Sequence, residues 1–180
     1  MIYIVCDLEA TCWNNSFSPY PQEIIEIGAC KLNAYAELES EYSSLVKPKR
    51  GVILSQYCRQ LTGITQLQID QARPFKVVWN EFIEWIEEDS DDFVLITWGK
   101  KDFDLMSQDC NENNCSKEPL QHYVDLKAKY HELKLNDKAF SLNKSLKLEQ
   151  IEMDGVEHRA LADAKNLAKL FFKYFDHWKF

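Results

Sequence analysis

The sequence predicts an α/β fold, in which helices flank a mixed five-stranded sheet within one domain over residues 1–180. The stretch IYIVCDLEATCW, residues 2–13, starts apolar on both faces of an extended chain, which is typical of a central strand covered on both sides. Three strands precede the first long helix, and strands and helices alternate after it. No internal repeat, low-complexity tract or linker divides the chain, so a single mixed-sheet domain is the simplest interpretation.

Each strand is predicted from an apolar or alternating run between turn residues. Two prolines within residues 16–22 predict a loop after the first strand. The strands after this loop are predicted at 23–32, 37–48, 92–99 and 122–126.

Helices are predicted from apolar residues at three- and four-residue spacing and from residues typical of helix ends. Gly63 ends a short helix, and Pro74 begins a strongly amphipathic one. The predicted helices cover 54–64, the segment after Pro74, 100–110, Ser141 to about residue 150, and 160–175.

Composition and charge narrow the functional classes. No apolar run approaches the roughly 18 residues of a membrane span, and we expect a cytoplasmic protein. The six cysteines form no CxxC pair, which argues against a zinc ribbon or a disulfide framework. The formal net charge of −8 disfavours a long, sequence-independent grip on duplex nucleic acid. It is compatible with a short single-stranded end bound beside cations.

Acidic residues stand at the end of a predicted strand or at the start of a predicted helix in three places. Asp7 and Glu9 share one face of the first strand, and Asp102 follows the strand at 92–99. His158 precedes the last helix, which carries Asp163 in its first turn. Each feature has an ordinary alternative, because acids two residues apart are common and an acid at a helix start is favoured by the helix dipole. A histidine at a helix start is also more often structural than catalytic.

Taken in order, these residues form a specific set. Asp-x-Glu at the first strand, a later Asp, and His-x4-Asp near the end resemble the DEDDh (DnaQ-like) family of 3′-to-5′ exonucleases in the RNase H-like superfamily. The resemblance extends over nearly the whole chain. Within the family, the sequence is similar to the branch that includes the RNAi-enhancer and histone-mRNA exoribonucleases and the sporulation-inhibitor-like proteins. The segments that carry it are CDLEATCW, PQEIIEIGACKLN, LTGITQLQID, TWGKKDFDLMSQDC and HRALADAKNLAKL.

The resemblance implies an RNase H-like fold and a site for two divalent cations, Mg²⁺ or Mn²⁺. Asp7, Glu9 and Asp163 would be metal ligands, with Asp7 shared between both ions, and Asp102 would complete the set through water. Asp104 is the alternative to Asp102. His158 would be the general base, and Glu9 would lie beside the 3′-hydroxyl of the substrate. Hard carboxylate ligands suit these cations.

The resemblance also implies residues that contact the substrate. Ala10 and Thr11, with Thr62, Gly63 and Ile64, would line the pocket for the 3′-terminal nucleotide. The alternative for the second group is a plain helix C-cap at Gly63. The residues themselves, apart from the resemblance, offer two further candidates. Trp98 presents a face on which a base would stack, or else belongs to the core. The basic patches at 47–51, Lys100–Lys101 and Lys144/Lys147 would follow a phosphate backbone, or else lie on solvated faces, which is the more common case.

The predicted function is metal-dependent 3′-5′ exonucleolytic hydrolysis of single-stranded nucleic acid to nucleoside 5′-monophosphates. RNA is the preferred substrate and DNA an alternative. A non-catalytic interaction module on the same fold, acting on a protein partner, is the rival hypothesis. A DNA-repair exonuclease is disfavoured by the acidic charge. The segment HELKL, residues 131–135, lacks the second histidine of a HExxH zinc site.

Overall fold

The computed structural model describes residues 1–14, 20–87, 92–135 and 140–178. Its sheet has six strands in the order β4-β3-β2-β1-β5-β6. β1, β2 and β3 pair antiparallel, whereas β5 and β6 extend the sheet parallel to β1, and β4 pairs parallel to β3. The strands are β1 (Ile2–Ala10), β2 (Ile24–Leu32), β3 (Leu38–Lys47), β4 (Arg73–Pro74), β5 (Phe93–Thr97) and β6 (Tyr123–Asp125).

Helices cover both faces of this sheet. The helices are α1 (Gln56–Thr62), α2 (Gln66–Gln71), α3 (Phe75–Glu87), α4 (Lys100–Asn113), α5 (Leu126–Lys134), α6 (Leu142–Leu148) and α7 (Ala160–Lys173). Two short 3₁₀ helices, Glu118–His122 and Phe175–His177, complete the described elements. No helix in the described ranges is long and apolar enough to cross a membrane.

The alternation of side chains along β1 divides the core into two layers. Ile4 and its neighbours on one face pack against α3 and α4. Tyr3 and Val5, on the other face, pack against α5, α6 and α7. β1 is therefore a central strand covered on both sides, as its sequence predicts. Asp7 and Glu9 continue the Tyr3 face, so they point toward the layer that contains α7.

Helix α7 lies unusually close to β2 at Gly28. A Cβ atom at Gly28 would lie 2.1 Å from the backbone nitrogen of Leu161 and 2.3 Å from the carbonyl carbon of Ala160. Only a residue without a side chain permits this approach. Gly28 therefore sets the height at which the first turn of α7 rests on the sheet.

The α/β, RNase H-like prediction is confirmed, with one correction to the strand count. The sheet has six strands and not five, because a two-residue strand, β4, pairs with the end of β3. Such a strand is too short to produce an alternating pattern. Most of the predicted loop at 16–22 lies outside the described residues.

Two helices were not predicted. α2 is short and polar, but a capping box between Thr65 and Gln68 fixes its start. α5 begins where the Asp125 side chain accepts a hydrogen bond from the backbone N–H of Ala128. Both signals are local side-chain contacts, which apolar periodicity does not reveal.

Candidate active site

The predicted acidic residues meet at one end of the sheet. Asp7 and Glu9 come from β1, and Asp102 lies in the first turn of α4, directly after β5 and Gly99. Asp163 lies in the first turn of α7. His158 precedes α7 with a positive φ of 62°. Three separate elements thus bring four carboxylates and an imidazole together, although up to 156 positions separate them in the sequence (163 − 7).

Two cavities open onto these groups. We call the first, of about 280 Å³, the Leu61 cavity, and the second, of about 240 Å³, the Trp98 cavity. Both are lined by Asp7, Lys101, Asp102, His158 and Asp163. The Leu61 cavity is also lined by Leu8, Glu9, Ala10, Cys12, Gln22, Leu61 and Leu105. The Trp98 cavity is also lined by Trp98, Ser141, Leu142 and Asn143.

Glu9, His158 and Asp163 have the geometry of a metal site. Each offers one ligand atom, and these three atoms lie within 4.8 Å of one another. Asp163 Oδ2 accepts a hydrogen bond of 2.9 Å from the backbone N–H of His158. Asp163 Oδ1 is buried and has no hydrogen-bond partner among the described residues. A buried carboxylate oxygen without a donor fits a cation that it would ligate.

Burial and mutual repulsion make the acids hard to ionise. Burial, followed by the charges of Asp102 and Asp163, raises the pKa of Asp7 well above its ordinary range. Burial and the charges of Asp163 and Glu26 raise the pKa of Glu9 to about 8. Burial raises the pKa of Asp102 to about 7.

Asp163 behaves similarly. Burial raises its pKa, and the backbone hydrogen bond from His158 opposes that rise. A bound divalent cation would reverse these shifts, because it favours the ionised form of every carboxylate around it. The donor set is therefore suited to divalent cations and poorly suited to an empty, ionised state.

Glu26 and Arg159 support this site and were not predicted. Glu26 lies on β2 opposite Glu9, and its side chain is 2% exposed. Arg159 Nη2 donates to Glu26 Oε1 at 2.6 Å, and the backbone N–H of Ala160 donates to Glu26 Oε2 at 3.0 Å. This pair ties the start of α7, and so His158, to the centre of the sheet. A glutamate inside the apolar run of 23–32 was the available signal in the sequence.

The structure separates the two candidate aspartates after β5. Asp102 lines both cavities, whereas Asp104 is exposed and lies 2.6 Å from Lys100 Nζ. The geometry therefore favours Asp102 as the fourth carboxylate.

The predicted substrate contacts lie in different places. Ala10 lines the Leu61 cavity and Trp98 lines the other. The remaining predicted contacts, Thr11, Thr62, Gly63 and Ile64, line neither cavity. Their contact with a nucleotide stays a prediction.

Hydrogen bonds explain where those side chains point. Thr11 Oγ1 accepts from the backbone N–H of Glu23, and Thr62 Oγ1 donates to the carbonyl of Cys58. Gly63 has φ of 69° and caps α1. The neighbouring Leu61, which was not singled out, is the α1 residue that reaches the cavity.

The sheet order and the acidic end of the sheet together define an RNase H-like domain with a candidate metal site. Residues 4–171 match the exonuclease family, and the chain belongs to this family. The resemblance to DEDDh 3′-5′ exonucleases is thereby confirmed.

Curated relatives and a solved structure agree with this assignment. The chain is 34% identical over 196 residues to ERI1 exoribonuclease 2 of Mus musculus, and the aligned region covers 94% of this chain and 28% of the relative. It is 36% identical over 188 residues to ERI1 exoribonuclease 2 of Danio rerio, covering 93% of this chain and 34% of the relative. The chain thus spans about a third or less of the length of these relatives.

The solved structure is the nuclease domain of 3′hExo, a DEDDh family member, bound to rAMP. It superposes with a TM-score of 0.89 at 26% identity, covering 97% of this chain and 92% of the other. The likeness therefore extends over the whole domain of both proteins.

Proposed function

We propose that this chain is a metal-dependent 3′-5′ exonuclease that hydrolyses single-stranded RNA to nucleoside 5′-monophosphates. One observation carries the proposal: Asp7, Glu9, Asp102 and Asp163, from three separate elements, line one cavity together with His158. A non-catalytic module has no physical reason to keep four carboxylates around one cavity, since their repulsion opposes folding.

The carboxylates would hold two divalent cations. When bound, such cations orient a phosphodiester and stabilise the attacking and leaving oxygens of an in-line displacement. Asp7 would be the ligand shared by the two ions, as the resemblance to the DEDDh family implies. Glu9, Asp102 and Asp163, which line the same cavity, would supply the other carboxylate ligands.

His158 is the proposed general base. It is partly exposed and lines both cavities, and its ligand atom lies within 4.8 Å of those of Glu9 and Asp163. An imidazole nitrogen is the side-chain group that most often accepts a proton from water in enzyme active sites. The His158 side chain is 41% exposed, so it can pass an accepted proton to solvent.

RNA is proposed as the substrate because of the relatives. The two curated relatives described above are named exoribonucleases, and the 3′hExo nuclease domain was solved with rAMP. DNA is the alternative, since an enzyme distinguishes the two sugars by contacts with the 2′-hydroxyl.

The test uses 5′-labelled single-stranded RNA and DNA of one sequence, incubated with Mg²⁺, Mn²⁺ or EDTA. We expect a ladder that shortens from the 3′ end, requires the metal and is absent with Asp7→Asn. RNA should be degraded faster than DNA. Intact RNA and DNA with the folded wild-type protein under both metals would overturn the proposal and favour the non-catalytic module.

A further inference from the structure

One positively charged side chain stands among the carboxylates of both cavities. Lys101 is the second residue of α4 and lines the Leu61 cavity and the Trp98 cavity alike. Of the described residues that line either cavity, it is the one lysine or arginine. Within the described ranges its side chain makes no hydrogen bond or ion pair with another residue. Its ammonium group is therefore available to a ligand.

The neighbouring cationic side chains are already engaged within the protein. Lys100 Nζ lies 2.6 Å from Asp104, and Arg159 Nη2 lies 2.6 Å from Glu26. Lys144 Nζ lies 4.1 Å from the centre of the Phe140 ring. Lys101 differs from all three because its neighbours on the cavity wall are the acids of the site. Burial raises the pKa of Asp102 and the charge of Lys101 opposes that rise, as expected for an ammonium group beside this carboxyl.

The arrangement of the cavities indicates which group Lys101 would meet. Both cavities open from the same three aspartates, Asp7, Asp102 and Asp163. A nucleic-acid strand whose bond lies over these carboxylates would therefore place one nucleotide in each cavity. The phosphate that links the two nucleotides would then lie at the boundary, where Lys101 lies. A lysine ammonium binds phosphate as a compact point charge with three donors.

We propose that Lys101 is a substrate-binding residue that holds the phosphate of the bond to be cut. This inference rests on the proposed exonuclease function. It assigns to this chain a phosphate contact from the protein itself, in addition to any contact that bound cations supply. The contact would favour substrate binding at this site, because the positive charge of the ammonium group offsets the repulsion between a phosphate and four carboxylates.

The test uses the dinucleoside monophosphate ApA, which contains a single phosphate. We expect Lys101→Ala to raise the KM for ApA about tenfold at saturating Mg²⁺, as for a lost charge-assisted contact. The matched control is Lys100→Ala, which removes the adjacent lysine outside both cavities and should change KM less than twofold. With a longer single-stranded RNA, Lys101→Ala should also reduce the slope of log(kcat/KM) against log salt concentration by about 0.7.

Three results would contradict this inference, and they are distinguishable. Equal KM values and salt slopes for Lys101→Ala and Lys100→Ala would remove Lys101 as a phosphate ligand and leave the exonuclease proposal intact. A higher Mg²⁺ requirement with an unchanged KM for ApA would show that Lys101 acts only through Asp102 and the cation. A wild-type protein without any nuclease activity would overturn the proposed function and this inference with it.

Discussion

The backbone at His158 has φ of 62°, a conformation that few residues other than glycine and asparagine adopt readily. This turn aims the backbone N–H of His158 at Asp163 Oδ2 while the side chain lines both cavities. One residue thus orients a proposed metal ligand through its backbone and offers a base through its side chain. The two roles are separable by substitution.

We predict that His158→Asn lowers kcat about 10²- to 10⁴-fold, because it removes the general base. Asparagine tolerates the positive φ, so the hydrogen bond to Asp163 and the melting temperature should be preserved. Single-turnover rates on 5′-labelled RNA and a thermal melt measure both effects. Near-normal activity of this variant at neutral pH would exclude His158 as the base.

At the scale of elements, the site depends on how α7 is seated on β2. Gly28 lets the first turn of α7 approach the strand, and Glu26, two residues earlier on the same strand, binds Arg159 and the N–H of Ala160. Because His158 and Asp163 flank these contacts, the position of α7 sets the position of both. β2 therefore acts as the support of the site although Gly28 and Glu26 line neither cavity.

We predict that Gly28→Ala lowers the free energy of unfolding by about 1–3 kcal/mol, since the new methyl group would displace α7. Nuclease activity should fall as well, because His158 and Asp163 move with the helix. The matched control is Gly51→Ala, where φ is +60° but nothing lies within 4 Å of the new Cβ. It should lower stability by about 1 kcal/mol and leave activity unchanged. Urea denaturation and the RNA assay report the two quantities, and equal effects of both variants would argue against the close approach at Gly28.

Removing the guanidinium group of Arg159 should also cost stability. Arg159→Ala leaves the buried Glu26 carboxylate without its charged donor, and we expect a loss of about 2 kcal/mol. Lys165→Ala is the control, because Lys165 joins the same helix to Glu41 on β3 through a more exposed pair, with side chains 38% and 35% exposed. That variant should lose less than about 1 kcal/mol. Denaturation curves of both proteins decide the question; a smaller loss for Arg159→Ala than for Lys165→Ala is the result that contradicts the assigned role.

The longer elements were predictable from the sequence, whereas the short ones were not. Apolar periodicity located the longer strands and the amphipathic helices, and the resemblance of the ordered acids to the DEDDh family indicated which residues would meet. Apolar periodicity could not reveal β4, which is two residues long, or α2 and α5, whose starts are fixed by single side-chain caps. Glu26 and Arg159 were missed for another reason: they are 133 positions apart, and only the register of β2 against α7 joins them.

For the whole molecule, the acidic cluster makes stability depend on pH and on metal. The pKa of Glu9 is raised from 4.5 to about 8 and that of Asp102 from 3.8 to about 7. The folded protein therefore binds more protons than the unfolded chain between about pH 4 and pH 8. The contribution of these two carboxyl groups to stability is therefore greatest below this window and is lost as the pH rises through it.

We predict that, in EDTA, the contribution of the cluster makes the melting temperature fall between pH 5 and pH 8. Mn²⁺ should restore it at pH 8, because ligands bound only by the folded state raise its stability. Asp7→Asn removes one of the repelling charges, so its melting temperature in EDTA should depend less on pH and should respond less to Mn²⁺. Melts of both proteins in one buffer series test this, and an identical pH dependence in the two would contradict it.

If the four carboxylates hold catalytic divalent cations, the number of bound Mn²⁺ ions per chain can be counted and compared with activity. Mn²⁺ is titrated into the metal-free wild-type protein and into the metal-free Asp7→Asn variant, in the presence of AMP. Free Mn²⁺ is measured by electron paramagnetic resonance. RNA hydrolysis is followed over the same Mn²⁺ concentrations. We expect two bound ions per wild-type chain, hydrolysis that appears as the second ion binds, and the loss of at least one ion in Asp7→Asn. Hydrolysis that persists in EDTA, or a wild-type chain that binds no Mn²⁺ at millimolar concentration, would contradict this expectation.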